Sequence, residues 1–116
     1  MTTNQATITQ KVYELLKNVI PVLNRFPRSQ KFVLGDRIQN QLSELLEVYI
    51  RAYYNSNNAT KRTSLADANI RLEILRHYFR LAYDLGLYPS TKYQYFAEKL
   101  QEIGRMTGGW LKALER

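Results

Sequence analysis

The sequence predicts an all-α fold, an antiparallel up-down-up-down four-helix bundle. Four segments carry apolar residues at steps of three and four, the spacing of one helix face, and no stretch shows the two-residue alternation of a strand. Short polar connections separate the segments, and such connections join antiparallel neighbours. We expect one domain over residues 1–116, with helices at about 9–26, 29–54, 65–85 and 91–113. The alternative is a helical subunit that is stable only within an oligomer.

The first two predicted helices meet at a proline-containing junction. Pro21 lies within the first helix and lacks the N–H that would bond the Lys17 carbonyl, so we expect a bend or an interruption there. Pro27 suits the start of the second helix. The predicted core face of the first helix is Val12, Leu16, Val19, Leu23 and Phe26, and that of the second is Leu34, Ile38, Leu42, Leu45, Tyr49 and Ala52 or Tyr53.

The last two predicted helices follow turn signals. Residues 55–63 form the clearest loop, and the sequence from Ser64 to Asp67 resembles a capping box. Gly86 occupies a natural position just after the third helix. The fourth helix opens at Ser90 or Thr91, and its core face comprises Tyr93, Phe96, Leu100, Ile103, Trp110 and Leu114. Three glycines near its end, at 104, 108 and 109, indicate close helix packing or an early helix end.

The apolar arc of the third predicted helix spans about 220°, wider than the stripe of little more than about 100° that an ordinary bundle helix carries. One interpretation is a second buried face, and therefore an oligomer, because large exposed apolar patches are unusual. The other is that edge leucines and tyrosines lie half exposed. The interface candidates are Ile70, Ile74, Leu81 and Leu85.

The composition excludes many kinds of catalytic site. The chain contains no cysteine and one histidine, which removes thiol chemistry, Cys-ligated metals and His pairs. Glu98 and Glu102 lie four residues apart, but a solvated mixed-charge face explains them better than a metal site, and His77 lies on a polar face. We therefore expect no catalytic residue, no metal, no cofactor and no enzyme activity. The absence of a long apolar run and of a signal-peptide pattern favours a cytoplasmic location away from membranes.

A formal net charge of +7 and a pI near 9.8 favour a polyanionic partner, since clustered Lys and Arg release counterions from phosphates. A merely soluble surface and local ion pairs, such as those of Arg76 or Arg80 with Glu73 or Asp84, are the alternatives. Arg71 falls within the apolar arc, where it either extends to solvent at the helix end or pairs with a carboxylate across an interface. The nucleic-acid-binding candidates are Arg25, Arg28, Lys31, Arg37, Lys61, Arg62, Arg76 and Arg80.

Four blocks of the sequence resemble the accessory variability determinant (Avd) proteins of diversity-generating retroelements. They are FPRSQKFVLGDRI at 26–38, ANIRLEILRH at 68–77, LAYDLG at 81–86 and IGRMTGGW at 103–110. The resemblance implies a pentameric, positively charged barrel without an active site. It implies a reverse transcriptase partner and binding of template RNA or cDNA with limited sequence preference, in mutagenic retrohoming. A structural four-helix scaffold, of the type encoded in intervening sequences of ribosomal RNA genes, is the alternative function.

Overall fold

Four long helices form an antiparallel up-down-up-down bundle, which confirms the predicted fold class. The computed structural model describes the backbone of residues 3–115 and the side chains of 7–115; residues 1, 2 and 116 of the expected domain lie outside the described residues. Helix α1 is Thr3–Leu23, α3 is Asn58–Asp84 and α4 is Ser90–Leu114. Helix α2, residues 28–54, comprises a short turn at Arg28–Gln30, a π-helical segment at Lys31–Gly35 and an α-helix at Asp36–Tyr54.

Each helix contributes one apolar stripe to a continuous core. Helices α1 and α3 each pack against both α2 and α4, so the four axes surround the core as a closed square. The largest fully buried side chains include Tyr49, Phe79 and Phe96. In α1, Leu15 lies in the core where Leu16 was expected, because the buried residues Ile8, Val12, Leu15, Val19 and Leu23 follow the helical period from an earlier start.

Helix α1 continues through Pro21 and ends two residues later, so the expected interruption is wrong. A proline this close to the end of a helix leaves little helix beyond it to disrupt. The predicted end near residue 26 is also too late. The chain turns at Asn24–Phe26, where the N–H groups of Arg25 and Phe26 donate to the carbonyls of Val22 and Leu23 at 3.1 Å each.

Helix α3 begins at Asn58, so the predicted loop at 55–63 is wrong: only residues 55–57 connect α2 to α3. The Asn57 side chain accepts a hydrogen bond from the Thr60 N–H at 3.0 Å, which makes Asn57 the N-cap in place of the predicted Ser64. Lys61 and Arg62 therefore lie on helix rather than in a loop. Two polar turns precede Leu65, the first core residue of α3.

The end of α3 is as predicted. Gly86 has a φ of 73°, which residues with a side chain rarely adopt. The Leu87 N–H donates to the Ala82 carbonyl at 3.0 Å, and the Gly86 N–H donates to the Tyr83 carbonyl at 2.9 Å. These two bonds define a Schellman motif. Helix α4 then continues through its three glycines to Leu114, so they do not end it early.

Candidate nucleic-acid interface

Four cations surround the junction of α1 and α2. Residues 24–37 contain Arg25, Arg28, Lys31 and Arg37 against one carboxylate, Asp36. Within residues 7–115, none of these four cations forms an ion pair. The three arginines are exposed and the lysine is half-buried. We call this junction the basic end of the bundle. Its charges are available to phosphates because no internal carboxylate neutralises them.

An aromatic cluster anchors the backbone of the basic end. Phe26 is buried and lies 6.1 Å, centroid to centroid, from Tyr88 in the α3–α4 connection. Tyr88 in turn contacts Phe96 at 5.6 Å, and Phe96 contacts Phe79 at 5.0 Å. The Tyr88 hydroxyl donates to the Phe79 carbonyl, and burial raises the pKa of this phenol. The cluster joins the turn after α1 to the last turns of α3 and the first turns of α4.

The π-helical segment determines which side chains the basic end presents. The Asp36 N–H reaches the Lys31 carbonyl, five residues back, and this wider turn directs both Leu34 and Gly35 into the core. Phe32 and Val33 are directed to solvent, each with 59% of its surface exposed. The Arg28 guanidinium lies 5.9 Å from the centre of the Phe32 ring, a cation–π distance. The basic end therefore combines unpaired cations with an exposed aromatic ring.

Lys61 and Arg62 lie far from the basic end. They belong to the first turns of α3, which begins where α2 ends, whereas the basic end lies where α2 begins. The bundle is 46 Å long, so these two groups of candidates occupy opposite ends of it. Arg62 donates to the Leu114 carbonyl at 3.3 Å and thereby satisfies a terminal carbonyl of α4. The structure does not bring the predicted cations into a single patch.

Arg76 and Arg80 carry balanced charges, unlike the cations of the basic end. Arg76 pairs with Glu73 at 2.8 Å, and Arg80 lies 3.6 Å from Asp84. Arg76 also packs over Gly104 of α4, where an added Cβ would lie 2.9 Å from its Nη2 atom. Gly104 thus permits close side-chain packing between α3 and α4, as the sequence indicated. Local ion pairs, one of the two interpretations left open, describe this polar strip.

Arg71 pairs with carboxylates of its own chain, whereas the sequence-based expectation placed such a carboxylate across an interface. It donates to Asp67 at 2.8 Å along α3, and it also binds Glu44 on α2. The hydrogen bond that Arg71 donates to Asp67 holds the pKa of this guanidinium above its ordinary value. Arg71 therefore fastens α3 to α2, and pairing with a carboxylate explains a cation within the apolar arc.

The candidate interface residues lie on α3 and at its C-cap, and all four are at least partly exposed. Ile70, Leu81 and Leu85 are exposed, Ile70 by 61%, and Ile74 is half-buried. A second group of exposed apolar side chains lies on α1 and α2 and comprises Tyr13, Ile50 and Tyr54. Sequence reasoning did not single out Tyr13 or Tyr54. The described side chains thus include these two groups of exposed apolar residues in addition to Phe32 and Val33.

The remaining titratable groups that the sequence singled out are Glu98, Glu102 and His77. Across the described side chains, no three His, Asp or Glu residues lie close enough to hold a metal ion. The Glu102 carboxylate accepts a hydrogen bond from Lys11 of α1 at 2.9 Å, and this bond lowers the pKa of the carboxyl. Glu102 therefore binds a cation of α1 and does not form a joint site with Glu98. His77 is largely exposed, and its Nδ1 lies 2.9 Å from the Glu73 carbonyl. These groups form a surface of mixed charge.

Sequence reasoning missed the exposure of Val33. A signal was present: Phe32, Val33 and Leu34 are consecutive, and three adjacent residues of a helix turn through about 200°. They cannot all face the core, so at least one must be exposed. The π-helical turn decides that two of them are.

Two comparisons with other sequences complete the description. A family model described as bAvd-like matches residues 6–114. No curated protein sequence matches the chain. Over residues 3–115, no helix combines the length and apolarity that a membrane span requires.

Proposed function

Because the chain belongs to the bAvd-like family, that of accessory variability determinant proteins, we propose that it is a non-catalytic accessory subunit of a diversity-generating retroelement. In this role it binds the retroelement reverse transcriptase and the template RNA, or the cDNA copied from it, during mutagenic retrohoming. The chemistry belongs to the polymerase, and this chain contributes binding surfaces. The family match over residues 6–114 is the observation that carries the proposal.

The basic end supports the nucleic-acid part of the proposal. Its four cations form no ion pair within residues 7–115, so phosphate contacts there break no internal salt bridge. Phosphate contacts bind without reading sequence, which agrees with limited sequence preference. Arg25 and Arg37 are the simplest contacts to assign, because both are exposed and, among the side chains of residues 7–115, neither lies at a cation–π distance from a ring.

The two exposed apolar surfaces support self-association, proposed here as a homopentamer. A ring requires a heterologous contact, in which one surface of each subunit meets a different surface of the next. The surface formed by Ile70, Ile74, Leu81 and Leu85 and the surface formed by Tyr13, Ile50 and Tyr54 meet this requirement. Repetition of the +7 charge around a ring concentrates the positive field for a polyanion.

The test is a salt titration of template-RNA binding with charge-matched variants. We expect Arg25→Gln/Arg37→Gln to reduce the slope of log K against log salt by about 1.4, since each phosphate contact to a single strand contributes about 0.7. The control, Arg51→Gln/Arg80→Gln, removes the same charge from exposed arginines that lie beside Glu47 and Asp84. The control should change the slope by much less.

The result that contradicts nucleic-acid binding is an absence of RNA binding at low salt, or binding that salt does not weaken.

Binding of the polymerase is tested by co-purification of the tagged protein with the reverse transcriptase and its RNA. Failure of co-purification with salt-dependent RNA binding intact would remove the polymerase from the proposal. Sedimentation at micromolar concentration tests assembly, and a monomer there would contradict the pentamer.

A further inference from the structure

Phe32 is exposed in a place that an apolar side chain ordinarily avoids. It is a large ring with 59% of its surface accessible, and it lies among the cations of the basic end. The π-helical segment directs it outward, since the five-residue turn assigns both core positions to Leu34 and Gly35. Single turns of π-helix occur frequently at functional sites. The exposed ring therefore needs a partner that suits both its apolar face and the charge around it.

The positive charge around Phe32 favours some kinds of partner over others. A second copy that met this surface with its own basic end would place Arg25, Arg28 and Lys31 against like charges, which is unfavourable. Nucleic acid presents an apolar base face beside a phosphate. A ring next to unpaired arginines matches that combination, as in proteins that bind single strands by stacking and charge.

We propose that Phe32, with Arg28 beside it, is a base-stacking platform through which the basic end selects unpaired nucleotides over duplex. This inference rests on the proposed nucleic-acid binding and specifies its substrate class. An unpaired base lies flat on the ring while its phosphates contact the neighbouring cations. Bases within a duplex are already stacked on each other, so the ring cannot reach their faces and only phosphate contacts remain.

The experiment compares an unstructured single-stranded RNA with a blunt RNA duplex of the same strand length. Phe32→Leu keeps an apolar side chain but removes the ring, and we expect it to weaken single-strand binding about 5- to 30-fold, from about 1–2 kcal/mol of stacking. Duplex binding should stay within about twofold, since it uses the unchanged cations. Phe32→Tyr should retain single-strand affinity.

Val33→Ala is the matched control. Val33 has the same exposed fraction as Phe32 and lies in the same π-helical segment, but it carries no ring. Its variant should bind both RNAs as the wild type does. An equal loss with Phe32→Leu and Val33→Ala would indicate a general apolar contact and would overturn the platform.

The outcomes separate this inference from the proposed function. If Phe32→Leu weakens both RNAs equally, or neither, the stacking platform is wrong while salt-dependent RNA binding still stands. If Phe32→Leu abolishes co-purification with the reverse transcriptase and leaves RNA affinity unchanged, the ring is a protein contact and the inference is overturned. If the wild type binds neither RNA at low salt, nucleic-acid binding itself fails.

Discussion

One hydrogen bond crosses the core, and removal of its two partners should cost different amounts of stability. The Tyr49 hydroxyl of α2 lies 2.6 Å from the Thr107 hydroxyl of α4, and both residues are fully buried. Thr107 also donates to the Ile103 carbonyl at 2.8 Å. A hydroxyl has one proton, so Thr107 accepts from Tyr49 and donates to its own helix. Removal of Tyr49 leaves Thr107 satisfied, whereas removal of Thr107 leaves the Tyr49 donor unpaired.

The two substitutions should therefore differ in cost. Tyr49→Phe loses one net hydrogen bond, about 1 kcal/mol in the free energy of unfolding. Thr107→Val leaves a buried donor unsatisfied, which costs about 1–3 kcal/mol and about 2 at the centre of that range. The double variant makes both partners apolar and should cost about as much as Tyr49→Phe alone. The coupling between the sites is then about 2 kcal/mol.

Urea unfolding followed by far-UV circular dichroism measures these costs. All variants are compared at one protein concentration, because any self-association contributes to apparent stability. Tyr83→Phe is the control, since Tyr83 is exposed, belongs to neither apolar surface proposed for self-association, and should change stability by less than about 0.5 kcal/mol. If Tyr49→Phe costs as much as Thr107→Val, or if the two costs simply add, the assigned direction of the hydrogen bond is wrong.

Two further predictions concern stability. Burial raises the pKa of Tyr49 to about 12 from an ordinary value near 10. The unfolded chain therefore loses the phenol proton first, and the contribution of Tyr49 to the free energy of unfolding is complete below about pH 10 and is lost as pH rises toward 12. This loss is at most about 2.7 kcal/mol. Tyr49→Phe should flatten the pH profile of unfolding there, and an unchanged slope would contradict the assignment. Gly86→Ala should destabilise by about 1 kcal/mol because of its φ of 73°. Gly108→Ala should stabilise by about 0.5–1 kcal/mol, because Gly108 lies exposed within α4 and an added Cβ would meet no atom within 4 Å beyond its adjacent residues and the nearby backbone of its own helix. Thermal unfolding measures the stability change of each glycine variant, and changes of the same sign in the two variants would refute the reasoning.

The parts of the fold that depend on local pattern were predictable. Apolar spacing located four helices, and Gly86 marked the end of α3. The start of α3 was not predicted, because the polar residues from Asn58 to Ser64 lack apolar periodicity and only the Asn57 cap indicates the helix. Local pattern also does not reveal the π-helical turn, since the core contacts of Leu34 and Gly35 decide it.

The candidate site was predictable as a set of cations but not as an arrangement. Sequence gives the charge of Arg25, Arg76 and Arg62 equally. The pair of Arg76 with Glu73 lies within one helix and was among the alternatives that the sequence left open. The bond from Arg62 to the Leu114 carbonyl depends on helix packing, which one sequence does not reveal.

The aromatic cluster beneath the basic end has a consequence for the speed of recognition. Because Phe26, Tyr88, Phe96 and Phe79 fasten the α1–α2 turn to the ends of α3 and α4, the cations above it occupy a scaffold that is already in place before a ligand arrives. Little backbone entropy is then lost on binding, in contrast to a basic tail that folds upon its target. Amide protons around Phe26 should exchange slowly with solvent even in the free protein. In the proposed binding of a polyanion, encounter would then be limited by diffusion and orientation and not by folding of this chain.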